Sequence, residues 1–232
     1  MRRRLHQLLD LRQRLALTAQ EDWKVHHMDV KSGFLNGDLT EEVYVEQPIG
    51  YKKKGEEEKV YKLKKGLYGL KQEPRAWNAK LDQSLVSLGF KRCPLEHAVY
   101  TKNSKGSNLL VGVYVDDLII TGDSAQEIED FKAQMKKKFS MSDMGLLNYY
   151  LGIEVKQSSE EITLCQSAYA VKLLDKCGMT DCYKVQTPMD QRHKLSKSSS
   201  NPLVDSTMYR SIVGSLRYLV HTDLTWRIQS GS

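Results

Sequence analysis

Three aspartates carry the strongest chemical suggestion in this 232-residue chain. Asp116 and Asp117 interrupt an apolar run, with Leu109 to Val115 before them and Leu118 to Thr121 after. Asp29 lies near the end of a short β-prone stretch, Val25 to Val30. Carboxylates gathered at strand ends repel one another, by roughly 4 kcal/mol for two unit charges about 4 Å apart at a typical effective dielectric. A bound cation offsets that cost. Magnesium suits the task, because it takes oxygen ligands and binds through a few carboxylates plus substrate phosphates. A plainer reading of Asp116-Asp117 alone is a solvated hairpin turn, where Asp is common. The surrounding sequence decides between the two.

The elements that must position these acids follow from periodicity and punctuation. A helix is expected over 5–20, with Leu5, Leu8, Leu9, Leu15 and Ala19 roughly on one face. A strand ends near Asp29, and residues 31–73 are loop-rich. Pro74 starts a helix, as proline suits the first turn. Trp77, Leu81, Leu85 and Leu88 make its apolar stripe and Gly89 ends it. A strand follows at 98–102, and then the apolar hairpin with both acids at its tip. Ser124 with Glu127 forms a capping box for a helix that buries Ile128, Phe131, Met135 and Phe139. Leu147 to Lys156 reads as a further strand region, with 161–165 as its partner. Ser167 caps a helix that buries Val171 and Leu174 and stops at Gly178. Residues 190–206 are rich in Ser and Lys and read as a linker, and a last helix covers 208–220. The fold class is α+β, on a split β-α-β-β-α-β plan.

Several segments in series resemble one family. Tyr114-Val115-Asp116-Asp117 is similar to the reverse-transcriptase box with two aspartates at a hairpin tip. His27-Met28-Asp29-Val30-Lys31-Ser32-Gly33-Phe34-Leu35-Asn36-Gly37 resembles the first aspartate box of copia-type long-terminal-repeat retrotransposons. Leu67-Tyr68-Gly69-Leu70-Lys71-Gln72-Glu73-Pro74-Arg75-Ala76-Trp77 resembles that family's central box, and Leu151-Gly152-Ile153-Glu154-Val155 its primer-grip region. Thr187-Pro188-Met189 and the Tyr209–Leu219 segment resemble its downstream part. Together they span about residues 21–222.

The resemblance implies a polymerase palm with partial fingers and a helical, thumb-like C-terminal part. It implies an RNA-directed DNA polymerase that uses two Mg²⁺ ions, with Mn²⁺ as an alternative. Asp29 and Asp116 would bridge the metals and Asp117 would support them. Val30 would lend a backbone carbonyl. Phe34 would lie under the incoming sugar and exclude a 2′-hydroxyl, unless it is a core phenylalanine. Gln72 would touch the incoming nucleotide, with Lys71 and Arg75 near its phosphates. Leu151 and Gly152 would approach the primer. Tyr114 would meet the hybrid or sit in the core. Lys62, Lys64 and Lys65 would track template–primer phosphates, setting affinity and salt dependence rather than sequence choice. The implied partners are an RNA or DNA template with its primer and deoxynucleoside triphosphates.

Composition agrees. A formal charge of +6 favours an anionic partner. No apolar run approaches the ~20 residues of a membrane-spanning helix. No membrane partner is expected, and the expected setting, which the sequence itself does not encode, is intracellular and cytoplasmic. The four spread cysteines have no zinc-knuckle spacing. Met1-Arg2-Arg3-Arg4 opens a basic amphipathic stretch, read as a surface helix rather than a targeting segment.

The expected organisation is a degenerate helix at 1–20, palm and partial fingers at 21–165, a thumb-like part at 166–222 and a truncated tail at 223–232. Within the resemblance, Gly33 stands where alanine is usual, Glu73 stands where a small residue is usual, and His221-Thr222-Asp223-Leu224 lacks an expected Arg-Pro. These departures read as a truncated or relic copy. The competing readings are a catalytically silent nucleic-acid-binding module of the same origin, and an unrelated metal-dependent phosphotransferase or nuclease.

Overall fold

The computed structural model describes residues 15, 18–104, 106–186, 204–222 and 225–229. Most of the expected 5–20 helix lies outside them, though Leu15 and 18–20 are helical. Most of the 190–206 linker lies outside them as well.

Strand β1 (Val25–Val30) keeps the expected bounds. A one-turn 3-10 helix, Gly33–Asn36, follows. The loop-rich stretch contains a two-stranded ribbon, β2 (Tyr44–Val45) and β3 (Tyr61–Lys62). Helix α1 (Glu73–Ser87) has proline in its first turn and buries Trp77, Leu81 and Leu85. It ends as the Gly89 N–H donates to the Val86 carbonyl, with Gly89 at φ +88°. Strands β4 (Lys91–Arg92), β5 (Val99–Ser104), β6 (Ser107–Tyr114) and β7 (Asp117–Gly122) form a meander. Helix α2 (Ala125–Lys138) is capped by Ser124, whose hydroxyl accepts from the Glu127 N–H at 3.3 Å. Strand β8 (Met141–Leu146) follows it.

The chain divides into two units, one spanning Gln20–Leu147 and the other comprising Met1–Ala19 with Asn148–Ser232. The Gln20–Leu147 unit holds an antiparallel sheet in the order β4-β5-β6-β7-β1-β8. The succession β1-α1-β6-β7-α2-β8 is the expected split plan, with β1 drawn between β7 and β8. One core joins Met28 and Val30 of β1, Leu118 and Ile120 of β7, Trp77, Leu81 and Leu85 of α1, and Ile128, Phe131 and Met135 of α2. Each such side chain contributes roughly 1.5–3 kcal/mol by leaving water. The alternation that buries Met28 and Leu118 places Asp29 and Asp117 on the opposite face.

In the other unit, β9 (Tyr149–Tyr150), β10 (Ile153–Gln157) and β11 (Glu161–Cys165) pair antiparallel, as expected for 147–165. Helix α3 (Ser167–Lys176) follows, and Gln166 rather than Ser167 holds its N-cap position. The face expected to be buried is a correction. Val171 and Leu174 are exposed, and Leu173 is the buried residue. In a ten-residue helix that buries one side chain, flanking apolar positions lie over the rim and periodicity alone cannot choose among them. Helix α4 (Ser206–Thr222) and strand β12 (Thr225–Gln229), which pairs with β11, complete this unit. Among the described residues no helix is long and apolar enough to cross a membrane.

Candidate active site

Asp29 stands directly opposite Asp117 in the β1–β7 ladder. Directly opposed residues share a face with their Cβ atoms about 5 Å apart, so two carboxylates from distant parts of the chain come side by side. The β6–β7 loop is Val115-Asp116, closed by the Tyr114–Asp117 pair. This refines the expectation: Asp116 is in the turn, whereas Asp117 is already a strand residue. Two-residue loops are favoured because their twist matches that of the strands. Here the loop requires φ +54° at Val115, a conformation that β-branched residues rarely adopt. Two bonds hold it. The Trp77 indole N–H donates to the Val115 carbonyl at 2.7 Å, and the Val30 N–H donates to the Asp116 carbonyl at 2.8 Å.

The Asp116 side chain packs against Gly33, where a Cβ would fall 2.2 Å from Oδ1. That oxygen is buried with no hydrogen-bond partner among the described residues. Burial, then the charges of Asp29 and Asp117, hold the Asp116 carboxyl above its usual range, and the Gly33 amide opposes this only in part. Asp117 is differently placed, with His27 Nε2 2.8 Å from its Oδ1. Among the described residues no three His, Cys, Asp or Glu side chains are gathered closely enough to hold a metal ion. The acids are therefore neighbours on one sheet margin without being assembled as a ligand cage. Their chemistry still fits a hard cation, being oxygen donors only, with mutual repulsion and one orphaned buried oxygen.

Phe34 is half-buried in the 3-10 turn, edge-on to Tyr68 with ring centroids 5.4 Å apart. Glycines bring this turn onto α1. A Cβ on Gly37 would lie 2.6 Å from the Trp77 backbone nitrogen, and one on Gly66 would lie 2.6 Å from the Phe34 carbonyl. Gln72 precedes α1 and is half-buried, while Lys71 and Arg75 are exposed. Glu73 is buried, and its Oε2 has no partner among the described residues. Val30 is buried and Tyr114 half-buried. Lys62, Lys64 and Lys65 are exposed at and beside the ribbon, with Lys62 ion-paired to Glu42.

Leu151 and Gly152 belong to the other unit. They form the β9–β10 turn, with φ +51° and +90°. The Tyr218 hydroxyl donates to the Leu151 carbonyl, and the Tyr218 ring meets Tyr169 at 5.0 Å. Beside the turn is an open cleft of about 690 Å³ that Arg210 also lines.

Two contributors carried no role in the sequence reading. His27 lies two residues before Asp29, so strand period assigns it to the same face, but its reach to Asp117 depends on register. Gly33 stands four residues after Asp29, and its contact with Asp116 spans over eighty residues of chain.

A family model described as reverse transcriptase (RNA-dependent DNA polymerase) matches residues 5–191. The chain is 38% identical over 208 residues to the Retrovirus-related Pol polyprotein from transposon RE1 of Arabidopsis thaliana, covering 90% of this chain and 14% of that protein. It is 36% identical to the corresponding RE2 polyprotein of the same plant, over 92% of this chain and 15% of the relative. It is also 36% identical to that from transposon TNT 1-94 of Nicotiana tabacum, over 91% and 17%. The chain thus spans less than a fifth of these relatives, all copia-type Pol polyproteins. The model match spans Asp29, Asp116 and Asp117, and the chain belongs to the reverse transcriptase family.

Proposed function

We propose that the Gln20–Leu147 unit is the palm and partial fingers of an RNA-directed DNA polymerase, and that Asn148–Ser232 supplies the primer grip and a thumb-like part. The observation that carries this reading is the register of Asp29 opposite Asp117, beside the Asp116 turn. Asp29, Asp116 and Asp117 would hold two Mg²⁺ ions, with Mn²⁺ able to substitute. When bound, such a pair supplies Lewis-acid stabilisation of the attacking 3′-hydroxyl and of the leaving pyrophosphate.

The protein's own groups do the rest. Phe34 lies under the deoxyribose and leaves no room for a 2′-hydroxyl. Gln72 orients the incoming nucleotide, Lys71 and Arg75 meet its phosphates, and Leu151-Gly152 steadies the primer end. Tyr114, Lys62, Lys64 and Lys65 contact the duplex. Positioning and electrostatic stabilisation are the main sources of rate in such transfers.

The test is extension of oligo(dT) on poly(rA) with Mg²⁺ and dTTP. Wild type extends, and Asp116→Asn lowers the rate by at least about 100-fold, the scale of losing one aimed electrostatic group. Phe34→Ala raises incorporation of the ribonucleotide relative to dTTP, by about 10-fold or more for an interaction of ~1–3 kcal/mol; an unchanged sugar preference removes the gate assignment.

A second reading is a silent nucleic-acid-binding module. It is favoured by the described residues holding no group of three His, Cys, Asp or Glu side chains close enough to hold a metal ion. Binding with a steep salt slope and no extension would select it.

A further inference from the structure

We propose that His27 is a positioning residue for Asp117: it holds Oδ1 and so leaves Oδ2 as the oxygen offered to a divalent cation. The inference deepens the polymerase reading and rests on it.

Strand period places His27 and Asp29 on one face of β1, and their ladder partners Ile119 and Asp117 on the same face of β7. His27 is therefore diagonal to Asp117, at a separation a histidine side chain can bridge. It does so, with Nε2 2.8 Å from Oδ1. The His27 side chain is 14% exposed and that of Asp117 28%, so water competes weakly for the bond. Asp117 also faces the like charge of Asp29 directly across the ladder. A donor on one oxygen disperses that charge and selects one rotamer. Asp116 has the backbone amide of Gly33 beside it but no side-chain donor among the described residues, and its Oδ1 is buried and unpartnered. Of the two neighbouring tip acids, only Asp117 is oriented by a side-chain donor among the described residues, and that donor is His27.

Hydrogen bonds that orient metal-binding side chains characteristically carry about 10–100-fold in metal affinity or activity. The full 232-residue chain is compared with His27→Leu, which has no donor, and with His27→Gln, whose amide N–H reaches about as far as Nε2. Two readouts are taken: Mn²⁺ binding by electron paramagnetic resonance without nucleotide, and kcat and KM for dTTP in primer extension. His27→Leu is expected to weaken Mn²⁺ binding and lower kcat by about 10-fold with KM little changed, and His27→Gln to restore most of both. Combined with Asp117→Asn, His27→Leu should add no further loss of Mn²⁺ affinity, because both act on one interaction. Should His27→Leu fail to fold, His27→Asn replaces it, its amide being too short for Oδ1.

Wild-type Mn²⁺ affinity in the donorless variant overturns the proposal, as does a His27→Gln variant as impaired as His27→Leu. If wild type extends primers while these results occur, only the His27 inference falls. If wild type neither binds Mn²⁺ nor extends, the polymerase reading falls first and this one with it.

Discussion

At the scale of single residues, the turn that carries Asp116 is built by an absence. Gly33 has no Cβ, and the space is filled by the Asp116 carboxylate and the edge of Trp77, each within 3.0 Å of where that atom would be. Gly33→Ala is expected to cost about 1–3 kcal/mol, as overpacking does, read as a lower urea midpoint. The three acids themselves were legible from sequence. Asp116 and Asp117 stand out because charge interrupts an apolar run, and Asp29 because it lies near the end of a β-prone stretch inside a segment that resembles the family's first aspartate box. The roles of Gly33 and His27 were not legible, because a contact between residues 33 and 116 or 27 and 117 exists only once the sheet register is set. Val115 was hidden for a related reason. Nothing in its type announces a left-handed backbone, which is imposed by the two-residue loop and held by Trp77 and Val30.

At the scale of elements, α2 is fastened to the sheet by a buried lysine. Lys132 Nζ lies 3.0 Å from His26 Nδ1, 2.8 Å from Glu129 Oε1 and 3.3 Å from Asp143 Oδ2. Burial and then the Lys132 charge hold the His26 pKa below its ordinary 6.5, against the opposing pull of Glu129 and Asp143. The folded state therefore binds fewer protons than the unfolded chain as pH falls below about 6.5, and stability drops over that window. Unfolding by urea at pH 7.5 and 5.5 should show the lower midpoint at pH 5.5, with a smaller difference in His26→Gln. Asp143 works in a separate, lower window. Despite its burial, the Gly145 amide and Lys132 keep its pKa below 3.8, so its contribution is lost only in stronger acid. Long periodic elements, α1, α2, β6 and β7, were legible to within a few residues. Strand β8 was not, since Met141-Ser142-Asp143-Met144-Gly145-Leu146 neither alternates nor runs apolar, and its pairing with β1 decides its state. Local propensity yields to tertiary context in such edge strands.

At the scale of the whole molecule, a charge of +6 favours nucleic acid before any particular contact does. Template–primer affinity should fall with salt at a log–log slope of about −0.7 to −0.9 per phosphate neutralised. Lys64→Ala is expected to reduce that slope by about one phosphate equivalent. Lys62→Ala should do less, because Glu42 already engages the Lys62 amine. Fluorescence anisotropy across a salt series separates the two. The split succession along the chain was anticipated, but the six-strand order of the sheet was not. The two-residue β4 carries too little pattern to be recognised alone.

The margins of that sheet have a consequence of their own. One outer strand is only two residues long, and the other loses regular pairing between the partners of His26 and Met28, near Gly145 at φ +75°. Neither rim presents a long flat row of vacant amides to which a neighbouring molecule could add a strand, so fibre-like stacking through this sheet is discouraged by the same irregularities that made its borders hard to read.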